Sequence, residues 1–94
     1  LMKITMVKKI MADGSPCKKC SEVLERLESS GHFGKIDQVL IAKEGDASSE
    51  GARLAEFYKV NKAPFFVVEE EGQEPKIYTV YFKLVKEVLN RQAA

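Results

Sequence analysis

Cysteine is scarce in this chain: two among 94 residues, Cys17 and Cys20. A structural zinc site needs four ligands, and beyond these two only His32 is a good candidate, so the ligand count argues against one. An excess of one charge is missing as well, since 15 Lys and Arg against 14 Asp and Glu leave a net charge of +1. Nothing global therefore points to nucleic acid or to a membrane surface. No apolar run approaches the roughly 20 residues of a membrane-spanning helix. The opening Leu1-Met2-Lys3-Ile4 lacks the long apolar core and small-residue cleavage site of a secretory leader. The setting expected from this is reducing and cytoplasmic, where a disulfide is more often catalytic than structural. No repeat or linker is visible, and 45% of the residues are hydrophobic, so residues 1–94 read as one domain with a real core.

What is present is concentrated in Gly14-Ser15-Pro16-Cys17-Lys18-Lys19-Cys20, where a strand-like run gives way to a helical pattern. Asp13-Gly14 supplies a turn, Ser15 reads as the helix N-cap, and Pro16 suits the first turn, where its missing N–H is not needed. That places Cys17 within the first helical turn, where unpaired backbone N–H groups and the positive end of the helix dipole favour an anion such as a thiolate. Lys18 and Lys19 add positive charge beside it and are candidates for tuning the thiol's acidity. Cys20 lies one turn further on, within disulfide reach. A bridge closing so short a loop removes little entropy from the unfolded chain, so a reversible dithiol is the stronger reading over a structural crosslink.

In chain order, a strand is expected from about Lys3 to Met11, with a bulge or change of face at Lys8-Lys9. Cys20, Val23, Leu24 and Leu27 then share one helical face, which puts Cys20 on the core side and leaves Cys17 at the exposed end. Gly31 reads as the residue that ends this helix. Ile36 to Ala42 predicts a second strand, with Val39-Leu40-Ile41 too apolar throughout for a wet face, joined to the first by a right-handed parallel crossover. A second helix, capped by Asp46 or Ser48, runs to about Tyr58, its first turn weakened by Gly51. Phe65-Phe66-Val67-Val68 is a strand, Glu69 to Glu74 a solvated hairpin loop, Lys76 to Tyr81 the returning strand, and Phe82 to Arg91 a closing helix. The order is βαβαββα.

Two separated motifs, with that order, resemble the thioredoxin superfamily: a C-x-x-C after the first strand, and Tyr58-Lys59-Val60-Asn61-Lys62-Ala63-Pro64-Phe65-Phe66-Val67-Val68. The compact order with its early first strand is most similar to the glutaredoxin-like members. The resemblance implies an α/β fold, a mixed four-stranded sheet flanked by helices. It implies Cys17 as the nucleophile, Cys20 as the resolving cysteine, Pro64 as a cis-proline beside the disulfide, and Ala63 as the residue whose backbone pairs with an extended substrate. Lys62 is a further candidate, for a substrate carboxylate. The sequence departs from thioredoxins in having Lys18-Lys19 between the cysteines and Met11 where a buried acid is usual. It departs from glutaredoxins in having Tyr78-Thr79-Val80-Tyr81-Phe82 where a Gly-Gly pair and an acid hold glutathione, which leaves glutathione as a co-substrate an open question.

The function implied is thiol–disulfide oxidoreductase, with no metal or organic cofactor beyond the Cys17–Cys20 disulfide. Its expected partners are a disulfide-containing protein or a low-molecular-weight thiol, and a reductase whose nature the residues do not specify. The rival is a non-enzymatic binding module or redox switch built on the same groove. Charge-free Ile77 to Phe82, on an expected edge strand, leaves two readings open: a homodimer through edge pairing, or a monomer in which the final helix and the tyrosine hydroxyls cover that surface.

Overall fold

Ile4, Thr5, Met6 and Val7 are buried in succession within the first strand, β1 (Met2–Ile10). A strand turns alternate side chains to opposite faces, so such a run needs cover on both sides. In the computed structural model, which describes residues 1–93, it has that cover. Three further strands, β2 (Gln38–Lys43), β3 (Phe65–Glu70) and β4 (Lys76–Tyr78), join it in a sheet of order β2-β1-β3-β4. β2 runs parallel to β1, whereas β3 is antiparallel to both β1 and β4. The helices are α1 (Lys18–Ser29), α2 (Glu50–Tyr58) and α3 (Tyr81–Leu84), the last continuing through a π-type turn at Val85–Leu89 and a 3₁₀ turn at Asn90–Ala93. The element order is the expected βαβαββα, with one added 3₁₀ turn at Phe33–Lys35.

On one face of the sheet Ile4, Met6, Phe66 and Val68 meet Val23 and Leu27 of α1 and Leu84, Val88 and Leu89 of the closing helical run. On the other, Val7, Phe65 and Val67 meet the partly buried Leu54, Ala55 and Tyr58 of α2. α1 ends as its Gly31 predicts: this glycine takes φ +78°, and the N–H of His32 reaches back to the carbonyl of Leu27.

Five local expectations are corrected. β1 has no bulge at its lysines; its register with β2 runs unbroken from Thr5↔Gln38 to Ile10↔Lys43, because the strand is long enough to carry Lys8 and Lys9 past the core. β2 is not covered on both faces. It is an edge strand, and Val39 and Ile41 remain 37% and 40% exposed, since α2 covers only the side of Leu40 and Ala42. Gly51 is more than a weak point of α2: a Cβ there would sit 2.5 Å from backbone atoms of Ile41 and Ala42, so glycine permits the close approach of helix and strand. The residue capping α2 is Ser49, while Asp46 accepts hydrogen bonds from both the N–H and the hydroxyl of Ser48. The returning strand stops at Tyr78, and Tyr81 already begins α3. The edge that was to pair with a second copy is thus three residues long, with Pro75 before it and the exposed Lys76 at its head, a pattern that blunts edges.

A candidate dithiol site

α1 owes its start to a competition between two short side chains. Asp13 Oδ1 accepts from both the N–H (2.9 Å) and the hydroxyl (2.6 Å) of Ser15, closing a turn that uses up the expected cap. Pro16 bridges back to Ile10 at the end of β1. The helix therefore begins two residues later than Ser15 and Pro16 would suggest, and its N-cap is Cys17, with extended backbone (φ −73°, ψ 124°). Cys17 Sγ accepts from the N–H of Cys20 at 3.3 Å. This corrects the expected placement of Cys17 inside the first turn: its sulfur stands in the place of a cap oxygen, directly at the unpaired N–H groups.

Cys20 belongs to the buried stripe with Val23 and Leu27 and is 2% exposed, while Cys17 is half-buried. Both are free thiols in this structure. The backbone N–H of Lys9 donates to Cys20 Sγ at 3.4 Å. Burial pushes the Cys20 thiol up to about 11, with the hydrogen bond and the nearby charge of Cys17 acting in the same direction. The Lys9 N–H and the positive charge of Lys8 oppose this without prevailing. One thiol is accessible at a helix terminus; the other is held protonated behind it.

A hollow of about 100 Å³ surrounds the pair, with Lys8, Ile10, Pro16 and Leu24 among its walls. Lys18 and Lys19 are exposed and line no part of it. Lys8 and Lys9 are the residues that reading from sequence missed, having been assigned to a bulge. The available signal was two lysines at the end of a buried strand, immediately before the C-x-x-C turn. The Ala63–Pro64 peptide bond is cis, and Pro64 is buried. The last pair between β1 and β3 is Val7↔Phe65, so that register, continued, sets Pro64 and Ala63 alongside Lys8 and Lys9. Ala63 and Lys62 line a second, larger cavity, which shares Lys9 with the first. His32 is elsewhere, beyond the far end of α1; its Nδ1 and the hydroxyl of Tyr81 are buried without hydrogen-bond partners and both residues border one cavity of about 310 Å³. Among the described residues no group of three or more His, Cys, Asp or Glu is placed to hold a metal, and no helix is long and apolar enough to cross a membrane.

No family model matches the sequence, and no curated protein matches it closely enough to count. Solved structures do match. The thioredoxin Deadhead of Drosophila melanogaster aligns with a TM-score of 0.51 at 21% identity, over 97% of this chain and 79% of its own. The Fasciola hepatica thioredoxin aligns at 0.50 and 19%, over 95% and 80%. Thioredoxin f2 of Chlamydomonas reinhardtii aligns at 0.52 and 14%, over 98% and 82%. The fold is thioredoxin-like, a mixed four-stranded sheet between helices.

Proposed function

We propose that the chain is a thiol–disulfide oxidoreductase whose working groups are Cys17 and Cys20. The observation that carries the reading is the asymmetry of the pair: Cys17 Sγ caps α1 through the Cys20 N–H, while Cys20 is 2% exposed behind it. The Cys20 N–H donates to the Cys17 sulfur at 3.3 Å, and the thiolate is the attacking species in such exchange. That thiolate attacks one sulfur of a substrate disulfide; a new S–S bond forms to Cys17, and the other substrate sulfur leaves as a thiolate and takes up a proton. The Cys20 thiol then loses its proton and attacks Cys17 Sγ. The second substrate thiol is released, and the protein is left with a Cys17–Cys20 disulfide. Two electrons have passed to the substrate, and an external thiol or dithiol donor must return them.

The resemblance assigns Ala63 to backbone pairing with an extended substrate and Pro64 to the wall beside the disulfide, and their place next to Lys8 and Lys9 supports this. Lys62 serves the substrate side, and Lys18 and Lys19 add exposed positive charge at the helix end. The substrate class is a protein disulfide or a low-molecular-weight disulfide, the setting is a reducing compartment such as the cytoplasm, and the reaction needs no metal or organic cofactor.

The test is trapping. With a disulfide-bonded substrate such as insulin, Cys20→Ser should accumulate a mixed disulfide through Cys17, Cys17→Ser should accumulate none, and the wild type should turn over with a dithiol reductant. Turnover by Cys17→Ser at the wild-type rate would overturn the assignment. Reversible oxidation of the wild type without turnover would favour the redox-switch reading instead.

A further inference from the structure

A cavity of about 640 Å³ lies between α2 and the sheet, on the face away from α1. It exists because the α2 wall is made by the small Ala52 and Ala55, opposite Ala42, with the longer Glu56 turned to its exposed rim. Val7, Val60 and Phe65 give it an apolar floor. Its charged rim is unbalanced: Lys9, Lys43, Lys59 and Lys62 stand against Glu44 and Glu56. Both glutamates are already engaged, Glu44 with Lys9 at 3.9 Å and with the Ala12 N–H at 2.9 Å, and Glu56 with Lys59 at 2.9 Å. Lys43 and Lys62 are in no ion pair among the described residues, though the charge of Lys43 also reaches Asp46, whose carboxyl is held low chiefly by Ser48. The cleft and the dithiol hollow share one wall residue across the end of β1: Lys9 lines both, and its N–H is the one that bonds Cys20 Sγ.

We infer that this cleft receives a carboxylate-bearing portion of the disulfide substrate while its sulfur lies at Cys17. The volume suits a small organic group or a pair of side chains. The apolar floor accommodates methylenes, and the surplus lysines favour an anion over a cation. The inference rests on the oxidoreductase reading and specifies the substrate class for it. The carboxylate can come from a small acidic disulfide or from acidic residues flanking a cysteine in a protein.

The experiment uses pre-reduced protein in single-turnover reactions with three disulfides: bis(2-carboxyethyl) disulfide, the neutral bis(2-hydroxyethyl) disulfide and the cationic cystamine. Each second-order rate constant is divided by that of the same disulfide with dithiothreitol, which removes intrinsic reactivity. The expected order is carboxylate, then neutral, then cation, with the carboxylate ahead of the neutral by about three- to tenfold, as one or two partly exposed charge contacts would give. The preference should shrink with added salt, since the rim is open to solvent. Replacing Lys43→Gln and Lys62→Gln together should bring the carboxylate-to-neutral ratio close to unity. A matched pair of peptide disulfides, Glu-Cys-Glu and Gln-Cys-Gln, distinguishes the sources: a larger preference there than among the small disulfides assigns the cleft to acidic protein segments, and a smaller one to small acids. Equal normalised rates for all three small disulfides, or a preference untouched by the double substitution, would overturn the inference and leave the redox reading standing. A protein that reduces none of them overturns both.

Discussion

Among the described residues, ten buried side chains form one cluster on the α1 side of the sheet, whereas on the α2 side three do, padded by partly buried neighbours. The two sides differ in side-chain size at the contact. α1 and the closing helical run bring Val23, Leu27, Leu84, Val88 and Leu89 down on Ile4, Met6, Phe66 and Val68. α2 approaches on a glycine that admits the β2 backbone and then offers alanines, which bring the helix close at one end and leave an open cleft toward the other. The packed side holds the larger buried cluster, and Cys20 lies buried on the α1 stripe with Val23 and Leu27. The thin side trades packing for accessible volume. A short domain of this kind can keep a cleft beside its dithiol because the opposite side is filled.

This contrast can be broken most directly by truncation on each side. Leu27 is 0% exposed, so Leu27→Ala should cost about 2–5 kcal/mol in urea-induced unfolding of the reduced protein. Leu54→Ala, at a partly buried position under α2, should cost less than half as much. Equal losses at the two positions would remove the distinction. Gly51→Ala comes next: its Cβ would meet backbone that cannot swing away, and the cost should be about 1–3 kcal/mol, accompanied by displacement of α2 in a crystal structure. If the substituted protein is as stable as the wild type, the close approach does not limit α2.

A smaller effect should appear with pH. The folded state holds the Cys20 thiol at about 11 against an ordinary value of 9.0, so between these values the folded reduced protein keeps a proton that the unfolded chain gives up. Its stability should therefore be fully present below about pH 9 and decline as pH rises toward 11. Cys20→Ala or the oxidised protein should lack that component of the decline, as denaturation series at pH 8 and pH 10.5 would reveal. The smallest change expected is at Tyr81, whose hydroxyl is buried without a partner. Tyr81→Phe should leave stability unchanged or raise it by up to about 1 kcal/mol, because no hydrogen bond is lost. A loss above that in thermal denaturation would mean that the hydroxyl is bonded in solution.

The elements that were legible in the sequence are those specified by local pattern. The stripe Cys20, Val23 and Leu27, the ending at Gly31, and the strand that begins after Ala63-Pro64 all follow from spacing or backbone restriction within a few residues. The parallel crossover from β1 to β2 followed from element order and handedness. What the sequence hid depends on partners far along the chain or on choices among near-equivalent neighbours. Ser15 and Cys17 are both plausible caps, and the decision falls to Asp13, which engages Ser15 first. Gly51 reads as a helix breaker until Ile41 and Ala42 are set against it. Lys8 and Lys9 read as an interruption of a strand until α1 folds back and brings Cys20 under the Lys9 N–H. The cleft is invisible in sequence because it is made by what small residues fail to fill.

The N-cap position of Cys17 has a consequence for observation as well as for chemistry. The amide of Cys20 is hydrogen-bonded to the very atom whose charge and covalency change during turnover. A thiolate is a strong acceptor there, whereas a sulfur bonded to another sulfur carries no charge and accepts weakly. The Cys20 amide proton should accordingly resonate furthest downfield and exchange most slowly with solvent deuterium in the reduced protein, and both properties should relax on oxidation. One backbone signal in a ¹⁵N-labelled sample would then register the redox state of the dithiol in real time, with no dye or engineered probe.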